Sequence, residues 1–416
     1  MKKAELKPAS AKAAKPPKKM TAIISSVVIV ILVASYLIVV AFASVKVSAT
    51  PSQIDLPQNA ETKIIWPSYG QSAVGAVGFG VLATNGDQTA HPIASIAKII
   101  LAMAVLNEKP LDAGETGPVV VMTQTDVDFY YADLKQGGSL LPVDDGEKLT
   151  EYQLLQGLLI ASGDNIAETL ATWAFGSTEN YLTYANQMVK KLNLTETHIA
   201  DDSGLSAETV SSASDLVKLG EKALSYPIIA EIVSQPKATF PVGGTITNYN
   251  SILGTDGIIG IKTGNTPEAG GCFLFAVKDP VNLSAPIVVG AILGAKNLGA
   301  VLRDTTAFIQ SNVKNFRTVS VVKAGQIIGT YDTPWGQKLN AIAKDDLILY
   351  SIDNKIITPI VVLNKISKNL AADAEVGTVI ATTTGNSKTI SVVLDSNLIA
   401  PKYSWKLLHP FKLSFK

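Results

Sequence analysis

Residues 91–100, HPIASIAKII, form a nearly continuous apolar stretch that nevertheless contains one hydroxyl and one ammonium group. Ser95 and Lys98 lie three positions apart, and residues at that spacing share one face of a helix. Because a His-Pro pair precedes them, we expect the helix to begin close to Ser95. Backbone N–H groups and the positive end of the helix dipole would then surround the serine oxygen. Ser95 is therefore a candidate nucleophile, and Lys98 is a candidate base if its surroundings favour the neutral amine.

The composition indicates more than one folded unit and argues against a nucleic-acid partner. The chain has 416 residues, of which 47% are hydrophobic and 17% charged, and it is longer than one ordinary core requires. Its formal net charge is zero, but residues 1–20 contain seven lysines and one acid. The remainder is therefore mildly acidic, whereas nucleic-acid binding requires a basic patch.

Residues 21–45 contain no charged side chain and are long enough, as a helix, to cross a hydrocarbon core of about 30 Å. The preceding lysines are expected to remain in the cytoplasm. We therefore predict a basic cytoplasmic tail over 1–20, a transmembrane helix over 21–45 and a single-pass cell-membrane protein with an extracytoplasmic catalytic domain. The alternative is a cleaved signal peptide, with possible cleavage sites at 41–43 and 47–49. The apolar run is, however, longer than the roughly 7–15 residues of a signal sequence.

Four segments follow the apolar run. Residues 46–62 are polar and contain proline, which predicts a linker. Residues 63–316 mix helical and strand patterns, whereas residues 317–400 consist of short β-type runs separated by turn residues, which predicts a separate all-β domain. Residues 401–416 alternate lysines with bulky apolar side chains. This basic amphipathic tail either lies at a membrane surface or packs on the β domain.

Cysteine and histidine are too scarce for several kinds of site. The single cysteine, Cys272, cannot form an internal disulfide, and its apolar neighbours favour a buried structural role. The chain has three histidines and neither an HExxH nor a paired CxxC pattern. We therefore predict no metal site and no cofactor.

Two further motifs supply polar groups that suit catalysis. ASGDN at 161–165 places Ser162 at the junction of two predicted helices. IGIKTGNT at 259–266 places Lys262, Thr263 and Gly264 at the end of an apolar strand. The lysine and threonine suit a substrate carboxylate, and the glycine allows a ligand to approach the backbone closely.

The three motifs, in the order SxxK, SxD and KTG, resemble the signature of the penicillin-interacting serine enzymes. Over roughly residues 63–400 the chain resembles low-molecular-mass penicillin-binding proteins, the serine-type D-alanyl-D-alanine carboxypeptidases of peptidase family S11. The resemblance implies an α/β (α+β) catalytic domain of the β-lactamase and penicillin-binding-protein type, followed by a C-terminal all-β domain. It also implies removal of the terminal D-alanine from peptidoglycan stem pentapeptides, with β-lactam antibiotics as covalent inhibitors.

The same resemblance implies a role for each motif residue. Ser95 would attack the carbonyl of the penultimate D-alanine, with Lys98 as the base. Ser162 would relay a proton to the leaving amine, Lys262 would lie between Ser162 and the substrate carboxylate, and Thr263 would bind that carboxylate.

The remaining substrate-binding positions carried over from the family are Asp164, Asn165, Gly264 and Asn265. The backbone N–H groups of Ser95 and Asn265 would form the oxyanion hole. The family usually has Asn where this chain has Asp164, and an ionised Asp cannot donate a hydrogen bond. Asp164 could instead accept from Lys98 and weaken that base, or be protonated, or Asn165 could rotate into its place.

Several alternatives share part of this pattern. A D,D-endopeptidase or transpeptidase would use the same residues, and a non-catalytic wall-binding protein would share the fold. A class A β-lactamase is disfavoured because the chain lacks an E-x-x-L-N string. A Ser-His-Asp hydrolase is disfavoured because no G-x-S-x-G elbow occurs.

Overall fold

The computed structural model describes residues 18–56, 63–279, 282, 284–312, 315–352, 356–383 and 387–414. Most of the predicted cytoplasmic tail therefore lies outside the described residues. The α-helices within them are α1 (Lys18–Phe42), α2 (Lys98–Glu108), α3 (Gln124–Gln136), α4 (Glu151–Leu159), α5 (Asp164–Phe175), α6 (Thr178–Lys191), α7 (Ala213–Ala223), α8 (Pro227–Val233), α9 (Leu298–Asn312) and α10 (Tyr403–Leu408).

The strands divide into those before and those after α9. The earlier strands are β1 (Ser44–Val45), β2 (Ser48–Pro51), β3 (Gln71–Ala76), β4 (Gly80–Asn85), β5 (His91–Pro92), β6 (Val119–Val121), β7 (Lys148–Thr150), β8 (Val210–Ser211), β9 (Lys237–Phe240), β10 (Gly244–Thr247), β11 (Ile258–Thr266), β12 (Gly270–Val277) and β13 (Val288–Ala295). The later strands are β14 (Arg317–Val322), β15 (Ile327–Asp332), β16 (Lys338–Ala343), β17 (Leu347–Ser351), β18 (Ile356–Leu363), β19 (Glu375–Thr383), β20 (Ser387–Leu394) and β21 (Leu413–Ser414).

A five-stranded antiparallel sheet, in the order β11-β12-β13-β3-β4, forms the centre of the larger unit. Its strands are apolar on both faces, because helices cover both sides. Helix α7 packs against β3 and β13, and α9 packs against β12 and β13. Helix α2 is buried along nearly its whole length in the cluster of helices beside the sheet. Edge strand β11 therefore lies beside the segment that leads into α2.

The junction between α4 and α5 follows the local sequence closely. Thr150 caps α4 by accepting a hydrogen bond from the Gln153 N–H, and the Gln153 side chain in turn accepts from the Thr150 N–H. This reciprocal capping box fixes the first turn of the helix. The chain then breaks at residues 160–163, where Ser162 adopts a positive φ of 55°. Ser162 is therefore presented at a corner between two helices.

The strands after Arg317 build a second core. Strands β18-β19-β20-β16-β15-β2 form a six-stranded sheet, and β14 pairs with β17. Tyr331 is fully buried in this core. Aromatic contacts of Tyr350 with Phe79 and Phe316 connect it to the larger unit.

The N-terminal segment differs in two ways from the sequence prediction. The apolar helix ends at Phe42 rather than at residue 45, and Ser44–Val45 pairs with Leu413–Ser414 as a short antiparallel ladder. The predicted linker over 46–62 is partly a strand, because Ser48–Pro51 pairs with β15 at the edge of the six-stranded sheet. Its polar composition is typical of an exposed edge strand as well as of a linker.

Tyr331 provides a test of the second core. Its hydroxyl lies 2.8 Å from the Asn364 carbonyl oxygen and 2.9 Å from that of Val376. Tyr331→Phe removes the donor shared by two carbonyls, and we expect it to lower the free energy of unfolding by about 1–2 kcal/mol. Urea denaturation of the detergent-solubilised chain measures this change. Tyr249→Phe, at an exposed tyrosine, is the control, and equal effects of the two variants would contradict the prediction.

Candidate active site

Ser95 and Lys98 lie at the start of α2. A short 3₁₀ helix, Ala94–Ala97, precedes α2 and carries Ser95. The Lys98 Nζ atom donates a hydrogen bond to Ser95 Oγ at 3.0 Å. Lys98 is fully buried, whereas Ser95 is partly exposed. The pair therefore has the arrangement of an accessible hydroxyl backed by a desolvated amine.

Lys98 has two further partners from distant parts of the chain. Its Nζ lies 2.5 Å from Asp164 Oδ1, and both side chains are buried. It also donates to the Ser203 carbonyl oxygen at 2.8 Å. A buried ammonium is tolerated only when it is paired and hydrogen-bonded. These contacts both pair the Lys98 ammonium with a carboxylate and hydrogen-bond it. They also bring three segments of the chain together around Lys98 Nζ.

Lys262 lies on β11, the strand that contacts the 3₁₀ helix carrying Ser95. Its Nζ donates to Ser162 Oγ at 2.8 Å and to the Thr263 carbonyl oxygen at 3.0 Å. Burial lowers the pKa of Lys262 well below its usual value, the charge of Lys98 lowers it further, and Asp164 opposes both effects. The two lysines are thus near enough for their charges to interact, and Lys262 loses its proton more readily than an exposed lysine does.

Gly264 allows β11 to approach the turn that carries Ser95. A Cβ atom added there would lie 2.7 Å from the Ile93 carbonyl oxygen and 3.2 Å from the Ser95 nitrogen. Any larger residue would therefore push the strand away from Ser95. Thr263, just before it, is nearly buried, and Asn265, just after it, is exposed at the mouth of the cleft.

Asn165 is placed differently from the sequence expectation that it contacts substrate. Its side chain is fully buried. Its amide oxygen accepts from the Leu141 N–H at 3.1 Å, and its amide nitrogen donates to the Leu141 carbonyl at 2.9 Å. Successive positions on a helix point about 100° apart, so Asp164 faces Lys98 while Asn165 faces away. The substrate-binding role predicted for Asn165 does not fit this orientation.

The loop over residues 201–206 also contributes to the site, although the sequence analysis did not identify it. Its Ser203 carbonyl is a partner of Lys98, and the Asp201 carboxylate accepts from the backbone N–H groups of Gly204, Leu205 and Ser206. A backbone carbonyl gives no signal in the sequence, and the turn-forming residues of DDSGLS at 201–206 were the one local feature that could have indicated an ordered loop.

Three further carboxyl groups surround the Lys98–Asp164 pair. Burial, with the nearby charge of Asp164, raises the pKa of Asp133 to about 6. Burial, with the charges of Asp133 and Asp164, raises that of Glu168 to about 7. Burial, with the charges of Glu168 and Asp201, raises that of Asp202 to about 7. Close carboxyl groups in a low dielectric resist ionising together.

Among the residues that the structure describes, no group of three or more His, Cys, Asp or Glu side chains is placed to hold a metal ion. Cys272 is buried next to the site strand, and burial raises the pKa of its thiol to about 12. It is therefore a packing residue rather than a nucleophile.

Solved structures show which class of protein has this fold. The Streptomyces K15 DD-transpeptidase superposes with a TM-score of 0.53 at 26% sequence identity, covering 60% of this chain and 98% of that protein. The D-alanyl-D-alanine carboxypeptidase DacD from Francisella tularensis superposes with a TM-score of 0.64 at 18% identity, covering 84% of this chain and 97% of that one. The fold is therefore that of the D,D-peptidases, as predicted, and the second comparison extends it to the C-terminal sheet.

The sequence comparisons define the family. The model of the peptidase S11 family, described as D-alanyl-D-alanine carboxypeptidase, matches residues 76–293. The match includes just over half of the chain, and the protein therefore belongs to the peptidase S11 family. The D-alanyl-D-alanine carboxypeptidase DacB2 of Mycobacterium tuberculosis is 34% identical over 203 residues, which is 47% of this chain and 65% of that protein. The chain thus matches slightly less than two thirds of the length of this curated relative.

The raised pKa of Asp202 predicts how stability depends on pH. In the unfolded chain this carboxyl ionises near its ordinary value of 3.8, but in the folded chain it ionises at about 7. Its contribution to stability therefore decreases as the pH rises from about 4 to about 7 and is constant above that range. We expect Asp202→Asn to stabilise the protein by about 2 kcal/mol at pH 8 but much less at pH 5.

Thermal unfolding of the detergent-solubilised chain at a series of pH values measures this difference. Glu108→Gln, at an exposed carboxyl on α2, is the control. If Asp202→Asn changed the unfolding temperature equally at every pH, the carboxyl would not titrate as described.

Proposed function

We propose that this protein is a D-alanyl-D-alanine carboxypeptidase that removes the terminal D-alanine of peptidoglycan stem pentapeptides through an acyl-enzyme on Ser95. The observation that carries the proposal is the hydrogen bond from the buried Lys98 amine to the partly exposed Ser95 hydroxyl. Membership of the peptidase S11 family supports the same reaction.

Acylation begins with the neutral form of Lys98, which accepts the proton of Ser95 as the serine oxygen attacks the carbonyl carbon of the penultimate D-alanine. The Ser95–Lys98 distance of 3.0 Å suits direct proton transfer. The proton then passes to the leaving D-alanine amine by way of Ser162. The contact between Ser162 Oγ and Lys262 Nζ supports this role, because a hydroxyl hydrogen-bonded to an amine can both accept and donate a proton.

Binding of the terminal carboxylate falls to Lys262 and Thr263 at the end of β11. A protonated Lys262 attracts the carboxylate, and the threonine hydroxyl donates to it. The backbone N–H groups of Ser95 and Asn265 stabilise the oxyanion. The close approach of β11 to the Ser95 turn at Gly264 supports this pairing. Water then hydrolyses the acyl-enzyme and releases the shortened peptide. A β-lactam would acylate the same serine.

We further propose that α1 anchors the chain in the cell membrane, with residues 63–316 as the catalytic domain and residues 317–400 as a β domain on the extracytoplasmic side. The helix over Lys19–Phe42 is long and apolar enough to cross a membrane and is almost entirely exposed. A signal sequence near the N-terminus has the same properties, so the size of the mature chain is the deciding observation.

The catalytic proposal predicts a specific dependence on Ser95. The full chain in detergent should release D-alanine from a stem pentapeptide that ends in D-Ala-D-Ala. Ser95→Ala should lower that rate by at least about a thousandfold, because it removes the nucleophile. Ser320→Ala, at an exposed serine of β14, should leave the rate unchanged. A folded wild-type chain that releases no D-alanine would contradict the proposal.

A second prediction concerns Asp164. Its carboxylate lies 2.5 Å from the Lys98 ammonium in a buried ion pair and cannot donate a hydrogen bond when ionised. Asp164→Asn removes that ion pair, keeps the size of the side chain and supplies an amide donor for the substrate carbonyl. We expect acylation by a fluorescent penicillin to be about tenfold faster than in the wild type, which is the effect of about one hydrogen bond.

The acylation rate constants of the two purified proteins, measured under the same conditions, check this prediction. Equal rate constants for the wild type and Asp164→Asn would contradict it.

A further inference from the structure

The C-terminal tail is attached to the end of helix α1. The Tyr403 hydroxyl donates to the Leu37 carbonyl at 2.8 Å, and the Tyr36 hydroxyl donates to the Leu407 carbonyl at 3.0 Å. The Lys406 ammonium donates to the Ala43 carbonyl at 2.7 Å, next to the last residue of the helix. Helix α10 and the last turns of α1 therefore form one structural unit.

The tail also contacts the C-terminal sheet domain. Trp405 stacks on His409 and meets Trp335 edge to face, with ring centroids 4.3 Å and 6.1 Å apart. Trp335 packs against the core of that domain. The position of the tail is thus fixed from two sides, by the apolar helix and by the sheet domain.

Exposed apolar side chains collect around this junction. Phe42 is 86% exposed, Leu408 is 78% exposed and Phe411 is 99% exposed. Large apolar side chains exposed to this degree are unfavourable in water. Phe42 is the last residue of α1, whose apolar surface is itself almost entirely exposed.

The tail after Asp395 carries positive charge only. It contains four lysines, Lys402, Lys406, Lys412 and Lys416, and no acidic residue. Lys402 and Lys412 are exposed, as is Lys368 in the loop after β18. An apolar rim combined with lysines is complementary to the boundary between lipid tails and anionic headgroups.

A cleft of about 620 Å³ opens at this junction. Val39 and Phe42 line its apolar side, and Lys368 and Ser367 line its polar side, with Ala43, Ser44 and Ser414 between them. The apolar wall is thus formed by residues of α1, and the polar wall presents the Lys368 ammonium group. This is the combination that a lipid with an acyl chain and a charged headgroup requires.

We propose that this cleft binds an anionic phospholipid of the leaflet that adjoins the C-terminal end of α1. The lipid phosphate pairs with Lys368, and an acyl chain lies along Val39 and Phe42. Leu408 and Phe411 enter the same leaflet. The proposal rests on the membrane-anchor part of the proposed function, but it does not depend on the reaction at Ser95.

Lipid retention by the full chain tests the proposal. The delipidated chain in detergent is titrated with phosphatidylglycerol or with phosphatidylcholine, and bound lipid is counted by native mass spectrometry. We expect one phosphatidylglycerol to bind in preference to phosphatidylcholine. Lys368→Gln should weaken that binding about fivefold, the effect of about 1 kcal/mol for one lysine near a lipid phosphate.

Lys365→Gln is the matched control, because Lys365 is exposed in the same loop but does not line the cleft. Equal retention of the two lipids, or equal effects of the two lysine variants, would overturn the proposal. Competition by inorganic phosphate at the concentration of the lipid would also overturn it, since the cleft would then be a plain anion site.

The same samples distinguish a failure of the lipid proposal from a failure of the membrane-anchor or the catalytic proposal. The intact mass shows whether α1 is present, and a mature chain that begins after residue 43 or 49 lacks one wall of the cleft and overturns the proposal. D-alanine release from a soluble pentapeptide, measured in parallel, reports on the catalytic proposal alone. Lys368→Gln should leave that release unchanged.

Discussion

The arrangement of the site depends on the burial of two lysine ammonium groups, those of Lys98 and Lys262. A buried cation without partners would cost several kcal/mol, so the surrounding chain must supply acceptors. Lys98 obtains them from Ser95, from Asp164 and from the Ser203 carbonyl. Segments that are far apart in sequence are therefore held around one nitrogen atom. The position of Ser95 is fixed by the same contacts that make the burial of Lys98 tolerable.

Asp164 is the counter-charge that these two cations share. It forms an ion pair with Lys98 and raises the pKa of Lys262 against the effects of burial and of Lys98. Without a carboxylate at this position, burial and the charge of Lys98 would both favour the neutral amine of Lys262. Asp164, at a position where the family resemblance led us to expect Asn, thus supplies a negative charge in place of a hydrogen-bond donor.

The neighbouring carboxyl groups also affect the charge around Lys98 and Asp164. Asp133, Glu168 and Asp202 have pKa values raised to about 6, about 7 and about 7. Near neutral pH they are therefore partly protonated and add less negative charge around Lys98 than three ionised groups would. The charge of Asp133 raises the pKa of Glu168, and the charge of Glu168 raises that of Asp202. These carboxyl groups consequently do not titrate independently of one another.

The sequence predicted those features that depend on side chains at fixed spacing. The SxxK, SxD and KTG strings identified Ser95, Lys98, Ser162 and Lys262. These residues form two hydrogen-bonded pairs, Lys98 with Ser95 and Lys262 with Ser162. The break between α4 and α5 and the cap at Thr150 were also predictable, because turn and capping preferences are local. The fold class was predicted from the resemblance of these motifs to those of the penicillin-binding proteins.

Other features depend on backbone atoms or on pairing between segments that are distant in the sequence. No residue pattern in the sequence predicts them. The Ser203 carbonyl that binds Lys98 would be available with almost any residue at that position. The orientation of Asn165 follows from the exact start of α5, and helix boundaries are uncertain by a few residues in any sequence pattern. The strand Ser48–Pro51 forms only because β15 offers an open edge several hundred residues later.

That strand limits how far the C-terminal sheet domain can lie from the end of α1. Residues 43–47 alone separate the end of α1 from β2, and an extended chain spans at most about 3.6 Å per residue. The edge of the six-stranded sheet therefore lies within roughly 20 Å of the end of α1, and the ladder between β1 and β21 shortens the connection further. Tyr350 packs against Phe79 of the larger unit. The two units are therefore in direct contact with each other. The distance of Ser95 from the end of α1 is set mainly by the C-terminal sheet domain and its packing.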